Sequence, residues 1–310
     1  MNFVEKIKAV VIGHAVGDAL GVPVEFQSRQ ELDAVPVTDM EGYGTYAVPA
    51  GAWSDDTSMA LCTMDALVYH GLDYDRVMVN FGKWLLQGEF TPTGEMFDVG
   101  ITCSNAIINY LQRNMPYDAC GLHGEMENGN GSLMRIHPVA LYLVGKGMPP
   151  VEKMQIVHTM SALTHAHERS KLGCGIYAFV LWELLQNPSK DAVYIGLGKA
   201  AEFYQGNEEL AHYSRLFAPS FAGLARDLVQ SSGYVVATLE AALWCLLTTQ
   251  SYKEAVLKAV NLGKDTDTVA AITGGLAGAL YGYDAIPASW RDTLIKRDEI
   301  EALCLQMSQV

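Results

Sequence analysis

The chain has 310 residues, a net charge of −14 at pH 7 and a hydrophobic content of 50%. This composition excludes intrinsic disorder, and the acidic balance excludes a typical nucleic-acid-binding surface, which would carry a basic patch. We find no apolar run near the ~20 residues of a membrane span and no signal-peptide pattern, so we expect a cytoplasmic protein without a membrane partner.

The six cysteines are scattered along the chain without a C-x-x-C pair. Most of them lie in apolar, helix-like stretches. They are therefore predicted to be reduced core residues rather than a disulfide framework or a zinc site.

The first predicted helix covers residues 3–20, where apolar residues recur at three- and four-residue spacing. Asp18 is an acid inside this apolar stretch and needs a polar partner, either as the cap of a neighbouring helix or beside a functional site. Glu25 follows Pro23 on an irregular segment, where a solvated loop glutamate is the usual case and a catalytic acid is the alternative.

Residues 27–52 are predicted to be a loop, and a loop of this length in a compact domain is usually functional. A buried helix over 53–70 follows, and it opens with Ser54-Asp55-Asp56-Thr57. A further helix is predicted over 76–86. Asp98 stands where the N-cap of a helix over 98–113 belongs, so capping is its simplest interpretation.

A glycine-rich loop, Gly129-Asn130-Gly131-Ser132, precedes Met134 and the start of another helix. Such a loop exposes backbone N–H groups that can bind phosphate, although a simple turn is the commoner case. His165 and His167 would point in different directions, and no cysteine or third histidine stands at ligand spacing, which disfavours zinc. One histidine is expected to hydrogen-bond a ligand and the other to cap or pack.

The remaining sequence predicts helices almost throughout, and no two-residue alternation suggests a strand. We therefore predict an all-α fold, and the absence of a Pro/Gly/Ser-rich linker predicts one domain over 1–310. The further predicted helices cover 151–163, 171–186, 190–204, 208–230, 236–249, 252–262, 266–281 and 289–305.

A second acidic helix start, Asp265-Thr266-Asp267-Thr268, repeats the order of hydroxyls and acids seen at 54–57. One aspartate at a helix start is explained by capping and by the helix dipole, but two matched clusters indicate one shared site. Four acids brought together oppose folding unless cations intervene. Two Mg²⁺ ions would neutralise them, with Mn²⁺ or Ca²⁺ as alternatives, and serine and threonine hydroxyls would supply neutral oxygens.

Together these motifs resemble the ADP-ribosylglycohydrolase family, the group that includes dinitrogenase reductase-activating glycohydrolase. They occur in the order found in the family and span residues 13–282. The motifs that carry the resemblance are Gly13-x-x-x-Gly17-Asp18-Ala19-Leu20-Gly21, Ser54-Asp55-Asp56-Thr57-x-Met59, Gly129-Asn130-Gly131-Ser132-x-Met134-Arg135, Thr164-His165-x-His167 and Asp265-Thr266-Asp267-Thr268 with the small-residue helix that runs to Gly282.

The resemblance implies a single compact, orthogonal multi-helix domain with a binuclear magnesium centre that hydrolyses the glycosidic bond of an ADP-ribosyl group. The implied substrate is an ADP-ribosylated protein or a small ADP-ribose conjugate. Glu25, Asp98 and Asp56 would be catalytic. The implied ligand contacts are Gly129, Asn130, Gly131, Ser132, Met134 and His165, and the implied metal ligands are Ser54, Asp55, Asp56, Asp265, Asp267 and Thr268.

Two features depart from the family pattern: Ser54 stands where threonine is frequent, and Lys264 stands where glycine is common. An ammonium directed at the metals would compete with them, whereas one directed outward would be free to meet a substrate phosphate. Two other functions stay open, a non-catalytic ADP-ribose-binding or structural protein and a metal-dependent pyrophosphate or phosphoester hydrolase. The acceptor, which loops 27–52 and 114–128 would recognise, and the oligomeric state are not indicated by the sequence.

Overall fold

The computed structural model describes residues 2–310, and within that range the regular structure is helical throughout, as predicted. Only two isolated backbone bridges occur, Leu122 with His165 and Gly129 with Tyr234. In chain order the α-helices are α1 Phe3–Gly21, α2 Arg29–Ala34, α3 Asp55–His70, α4 Tyr74–Gln87, α5 Ile101–Leu111, α6 Tyr117–Cys120, α7 His137–Tyr142, α8 Pro150–Ala162, α9 Glu168–Gln186, α10 Lys190–Phe203, α11 Val235–Leu247, α12 Tyr252–Val260, α13 Thr266–Tyr281, α14 Ala288–Thr293 and α15 Arg297–Met307.

The centre of the fold is the pair formed by α1 and α13, whose backbones meet at glycines. A Cβ atom added to Gly17 would lie 2.1 Å from the Ala270 carbonyl oxygen, and one added to Gly278 would lie 1.9 Å from that of Ala9. Side chains at these positions would push the two helices apart. The close approach places the carboxyl end of α1 beside the amino end of α13.

Helix α1 is apolar on nearly all sides because other helices surround it. The segment Phe3–Val24, which contains α1, is long and apolar enough to cross a membrane by length and composition alone, but 89% of its 18-residue apolar window is buried inside the protein. Burial among other helices explains the apolar composition as that of a core helix.

One hydrophobic core extends from Ile7 in α1 to Met307 in α15, which agrees with one compact domain. The six cysteines are free and buried in this core, as the sequence predicts.

Two predicted helices are wrong. Residues 208–230 form three separate 3₁₀ segments, the longest over Glu208–Phe217, because Pro219 cannot continue a helix. The helix over 289–305 is divided into α14 and α15, since Lys296 adopts a left-handed φ of 54° and the Ile295 N–H donates to the Gly51 carbonyl oxygen instead.

The loop over 27–52 also contains one unpredicted element, the short helix α2. The Ser28 hydroxyl oxygen accepts from the Glu31 N–H, and the Glu31 carboxylate accepts from the Ser28 N–H in return. This is the capping-box pattern, so the sequence did contain a signal for α2.

The glycine contact between α1 and α13 gives a stability prediction. Gly17→Ala should lower the free energy of unfolding by about 1–3 kcal/mol, because the added methyl group overlaps the α13 backbone. Gly198→Ala is the matched control, since Gly198 lies in α10 with no atom within 4 Å of an added Cβ. That change should be neutral or stabilising by about 0.5–1 kcal/mol. Urea unfolding measures both, and equal effects would contradict the close-packing argument.

Candidate metal centre

The two acidic helix starts meet, as the sequence predicts. Thr268 Oγ1, in the first turn of α13, donates a hydrogen bond to Asp56 Oδ2 in the first turn of α3, at 3.3 Å. One carboxylate oxygen from each of Asp18, Asp56 and Asp267 lies within 4.8 Å of the other two. Segments far apart in sequence thus form one carboxylate cluster at the end of the α1–α13 pair.

Asp18 holds the amino end of α3 in this cluster. Its carboxylate is fully buried and accepts hydrogen bonds from the Ser54 N–H at 2.9 Å, the Thr57 N–H at 3.0 Å and the Thr57 hydroxyl at 2.6 Å. Asp18 is therefore the cap of a neighbouring helix, and it also lies beside the other acids of the cluster. The Thr57 hydroxyl is used by Asp18, and the Thr266 hydroxyl donates to the Gly21 carbonyl oxygen.

A second group of carboxylates brings together Glu25, Asp98 and Asp267, again with one oxygen of each within 4.8 Å of the others. Glu25 is not a solvated loop residue, because it is 7% exposed. Asp98 does not cap α5, which begins at Ile101 with Gly100 as its N-cap. Both corrections have the same cause, since each side chain turns inward to the cluster.

Tyr46 is a site residue that sequence reasoning missed. Its hydroxyl donates a hydrogen bond to Glu25 Oε2 at 2.8 Å, and its ring packs against Phe97 with the centroids 5.0 Å apart. Tyr46 lies in the 27–52 loop, where only the length of the loop suggested a function. Nothing in its neighbouring residues indicates this contact.

The cluster is electrostatically unfavourable without added positive charge. Burial, followed by the charges of neighbouring acids, raises the pKa values of Asp55, Asp56 and Asp267 well above their usual range. Burial and then the Asp98 charge raise the pKa of Glu25 to about 8. Within residues 2–310, no basic side chain forms an ion pair with these acids.

These residues fit hard divalent cations. Asp56 Oδ1 and Asp265 Oδ1 are buried and have no hydrogen-bond partner in the described chain, which is costly for a charged oxygen unless a cation contacts it. The donors are carboxylate and hydroxyl oxygens, which suit Mg²⁺, Mn²⁺ and Ca²⁺ better than zinc. The Ser54 hydroxyl adds a neutral oxygen here, and it contacts Asp56 Oδ2 at 3.0 Å.

The glycine-rich loop lies next to this cluster and is tied to it by Asn130. The Asn130 amide donates to Asp265 Oδ2 at 2.9 Å and to Thr238 Oγ1 at 3.0 Å. His165 packs against the same loop, since a Cβ added to Gly129 would lie 3.4 Å from His165 Nε2. The glycine-rich loop and His165 therefore lie next to the carboxylate cluster.

Two residues predicted to contact a ligand are enclosed in the protein. Ser132 is 0% exposed, and its hydroxyl accepts a hydrogen bond from Ser161 at 2.8 Å. Met134 is 3% exposed and belongs to the hydrophobic core. Their contact with a ligand stays a prediction.

Lys264 is exposed, and its ammonium forms no ion pair within residues 2–310. Its backbone is in the left-handed region with φ 67°, and Phe26 opposite has φ 68°. The Phe26 N–H donates to the Lys264 carbonyl oxygen, and the Lys264 N–H donates to that of Gln27, both at 2.7 Å. The two strained residues thus join the Glu25 segment to the segment that carries Asp265.

His167 is the histidine that caps: its Nδ1 accepts a hydrogen bond from the Arg169 N–H at the start of α9. Glu125, His167 and Glu209 form a further group with metal-like spacing. Arg169 already supplies a positive charge to both glutamates, at 2.7 Å from each, and Glu125 is exposed to solvent. This group therefore lacks the buried, uncompensated charge of the carboxylate cluster.

A cavity of about 740 Å³ is separate from the carboxylates. It lies between the amino end of α1 and the carboxyl end of α9, and Phe3, Phe179 and Trp182 are among its lining residues. The functional site is therefore identified by its buried acids and not by cavity size.

Comparison with known proteins agrees with this geometry. The sequence model of the ADP-ribosylglycohydrolase family matches residues 1–310. The ADP-ribosylarginine hydrolase Tri1 of Serratia proteamaculans is 33% identical over 98% of this chain and 79% of its own length. The ADP-ribosyl-[dinitrogen reductase] glycohydrolase of Rhodospirillum rubrum is 30% identical over 94% of this chain and 90% of its own.

A solved structure described as an ADP-ribosylglycohydrolase-related protein complex superposes with a TM-score of 0.83 at 30% identity, and it covers 99% of this chain and 98% of the solved chain. The match extends over both acidic helix starts, the glycine-rich loop and the α1–α13 pair between them. The chain belongs to the ADP-ribosylglycohydrolase family.

Proposed function

We propose that this protein is a divalent-metal-dependent hydrolase that cleaves the glycosidic bond of an ADP-ribosyl group and releases ADP-ribose. The observation that carries the proposal is the meeting of Asp56 and Asp267 in a buried cluster with unpartnered carboxylate oxygens. Membership of a glycohydrolase family supports the reaction class. We propose a cytoplasmic location as well.

The metal site would consist of two Mg²⁺ ions, with Mn²⁺ or Ca²⁺ as alternatives. When bound, the ions would neutralise the acids, orient ribose hydroxyls and stabilise developing negative charge. The proposed ligands are Ser54, Asp55, Asp56, Asp265, Asp267 and Thr268, and the position of Asp18 makes it a further candidate.

Glu25 and Asp98 would do the acid–base work of the chain. Glu25 lies in the cluster with its carboxylate oriented by the Tyr46 hydroxyl. With cations compensating the neighbouring acids, Glu25 would be ionised, would accept a proton from a water that attacks the anomeric carbon, and would return that proton to the departing acceptor atom. Asp98 adjoins both Glu25 and Asp267 and would hold that water in place. Bond cleavage would pass through an oxocarbenium-like state, as in other glycoside hydrolysis.

The glycine-rich loop would bind the diphosphate through backbone N–H groups, since a net negative protein offers few basic side chains for it. Asn130 and His165 would fix the position of this loop next to the acids. Ser132 and Met134 would contribute through the position of their backbone, because their side chains are enclosed.

We propose arginine as the acceptor. The support is similarity to Tri1, a hydrolase named for ADP-ribosylarginine, and a net negative charge that attracts an arginine-bearing protein. The loops over 27–52 and 114–128 would contact the acceptor. A non-catalytic role is disfavoured by the complete set of acids, and a pyrophosphate hydrolase is distinguished by its product.

The reaction is tested with an ADP-ribosylarginine protein, an ADP-ribosylserine peptide and O-acetyl-ADP-ribose, each with Mg²⁺ and with EDTA. We expect Mg²⁺-dependent release of ADP-ribose, fastest from arginine. Glu25→Gln should lower kcat by about 10²–10⁴-fold, because the group that accepts the proton is lost. Asp227→Asn is the control and should keep full activity, because Asp227 is an exposed acid outside the carboxylate cluster.

Two results of this assay would count against the proposal. Release of AMP instead of ADP-ribose would indicate cleavage of the pyrophosphate. Equal activity in Mg²⁺ and in EDTA would show that the reaction does not require a metal ion.

Metal binding is tested separately by stability. Mg²⁺ at a hundred times its Kd should stabilise the fold by about 2.7 kcal/mol, because it binds the native state only. Asp267→Asn should abolish most of this gain, whereas Asp284→Asn, whose side chain is 100% exposed, should retain it. Thermal melts in Mg²⁺ and EDTA measure the effect. Melts that do not differ for the unmodified protein would contradict a metal centre here.

A further inference from the structure

Arg135 is an arginine with no acidic partner in the described chain, although it is 0% exposed. Its Nε and one terminal nitrogen are buried without hydrogen bonds, and its guanidinium carbon lies 4.8 Å from the centroid of the Phe81 ring. A buried charge of this kind is costly. Retaining it suggests a role that an apolar residue could not fill.

The remaining nitrogen of Arg135 is connected by hydrogen bonds to His165, which packs against the glycine-rich loop. It donates to the Met160 carbonyl oxygen at 3.1 Å and to Thr164 Oγ1 at 2.8 Å. Thr164 Oγ1 in turn lies 2.9 Å from His165 Nδ1. The three side chains form a chain of hydrogen bonds, and the imidazole at its end packs against the glycine-rich loop.

The direction of these hydrogen bonds follows from the chemistry of the groups. A guanidinium can only donate, so Thr164 Oγ1 must accept from Arg135. The single hydroxyl proton of Thr164 is then directed to His165 Nδ1, since the nearby Cys103 sulfur is a much weaker acceptor. Nδ1 is thus an acceptor.

His165 is neutral, so it carries one N–H. Burial, and after it the charge of Arg135, lowers the pKa of His165 to about 3. With Nδ1 accepting, the proton belongs on Nε2. Nε2 has no hydrogen-bond partner within the described chain, and a Cβ added to either Gly129 or Gly131 would lie 3.4 Å from it.

We propose that Arg135 and Thr164 are positioning residues that hold His165 as the Nε2–H tautomer, so that this N–H donates to an anionic oxygen of the ligand at the Gly129–Gly131 loop. The ligand half of the proposal rests on the proposed function. The tautomer half does not, because it concerns the protein without ligand. His165 then acts as a neutral hydrogen-bond donor and not as an acid.

The test uses Thr164→Val, which keeps the shape of the side chain and removes the hydroxyl; replacing Arg135 itself risks unfolding. Two-bond ¹H–¹⁵N spectra of the ¹⁵N-histidine-labelled protein report which nitrogen of His165 carries the proton, and a His165→Gln variant assigns the signal. The unmodified protein should show Nε2–H. Thr164→Val should give a mixture of tautomers, and Thr164→Ser should restore Nε2–H.

Binding of free ADP-ribose, followed by calorimetry in Mg²⁺, tests the ligand half. Thr164→Val should raise the Kd roughly fivefold, the effect of one net hydrogen bond, and should raise KM with little change in kcat. Thr63→Val is the matched control: its hydroxyl is equally buried and donates to the Met59 carbonyl oxygen in α3. It should change neither tautomer nor Kd.

An Nδ1–H signal in the unmodified protein, or an unchanged signal in Thr164→Val, would overturn the tautomer assignment whatever the enzyme binds. A changed tautomer with an unchanged Kd would overturn the ligand contact. Failure of the unmodified protein to bind ADP-ribose at all would instead reject the proposed function, and the spectra would still decide the tautomer.

Discussion

Repulsion among buried carboxylates is the constraint on which the functional end of this molecule depends. Asp18, Asp56 and Asp267 are all nearly or fully buried; the charge of Asp18 raises the pKa values of Asp56 and Asp267, and the charge of Asp56 raises that of Asp267. Such a cluster lowers stability unless hydrogen bonds and positive charge compensate. The fold supplies the hydrogen bonds, and a pair of hard cations would supply the charge.

The scaffold that holds the acids against this repulsion is the α1–α13 pair. Glycines such as Gly17 let the two backbones touch, so that Asp18 and Asp267 come from helices with little freedom to separate. Asp18 then fixes the start of α3 by accepting from its first backbone N–H groups. Through this cap, Asp18 sets the position of two proposed metal ligands, Asp55 and Asp56.

The helices and the meeting of the acidic clusters could be predicted from the sequence because both depend on local patterns. Apolar periodicity located α1 and α13, and repeated acids at helix starts indicated a shared site. Tyr46 carries no sequence signal, because its role arises from a contact with a distant segment. Arg135 and Thr164 stand in the sequence motifs, but the hydrogen bonds that join them to His165 are visible only in the structure. The error at Asp98 is of the same kind, since an N-cap two residues later, at Gly100, changed an apparent cap into a member of the cluster.

The hydrogen bond from Asn130 to Asp265 has a consequence for the order in which partners bind. It joins the loop proposed for the diphosphate to Asp265, a proposed metal ligand. Only the Asn130 side chain then separates the Asp265 carboxylate from an incoming anion, so an uncompensated Asp265 would repel that anion. Cations that occupy the acids remove this repulsion, and by linkage the anion must strengthen the hold on the cations by the same factor. Metal and nucleotide would therefore load cooperatively, each binding more tightly to protein that already holds the other.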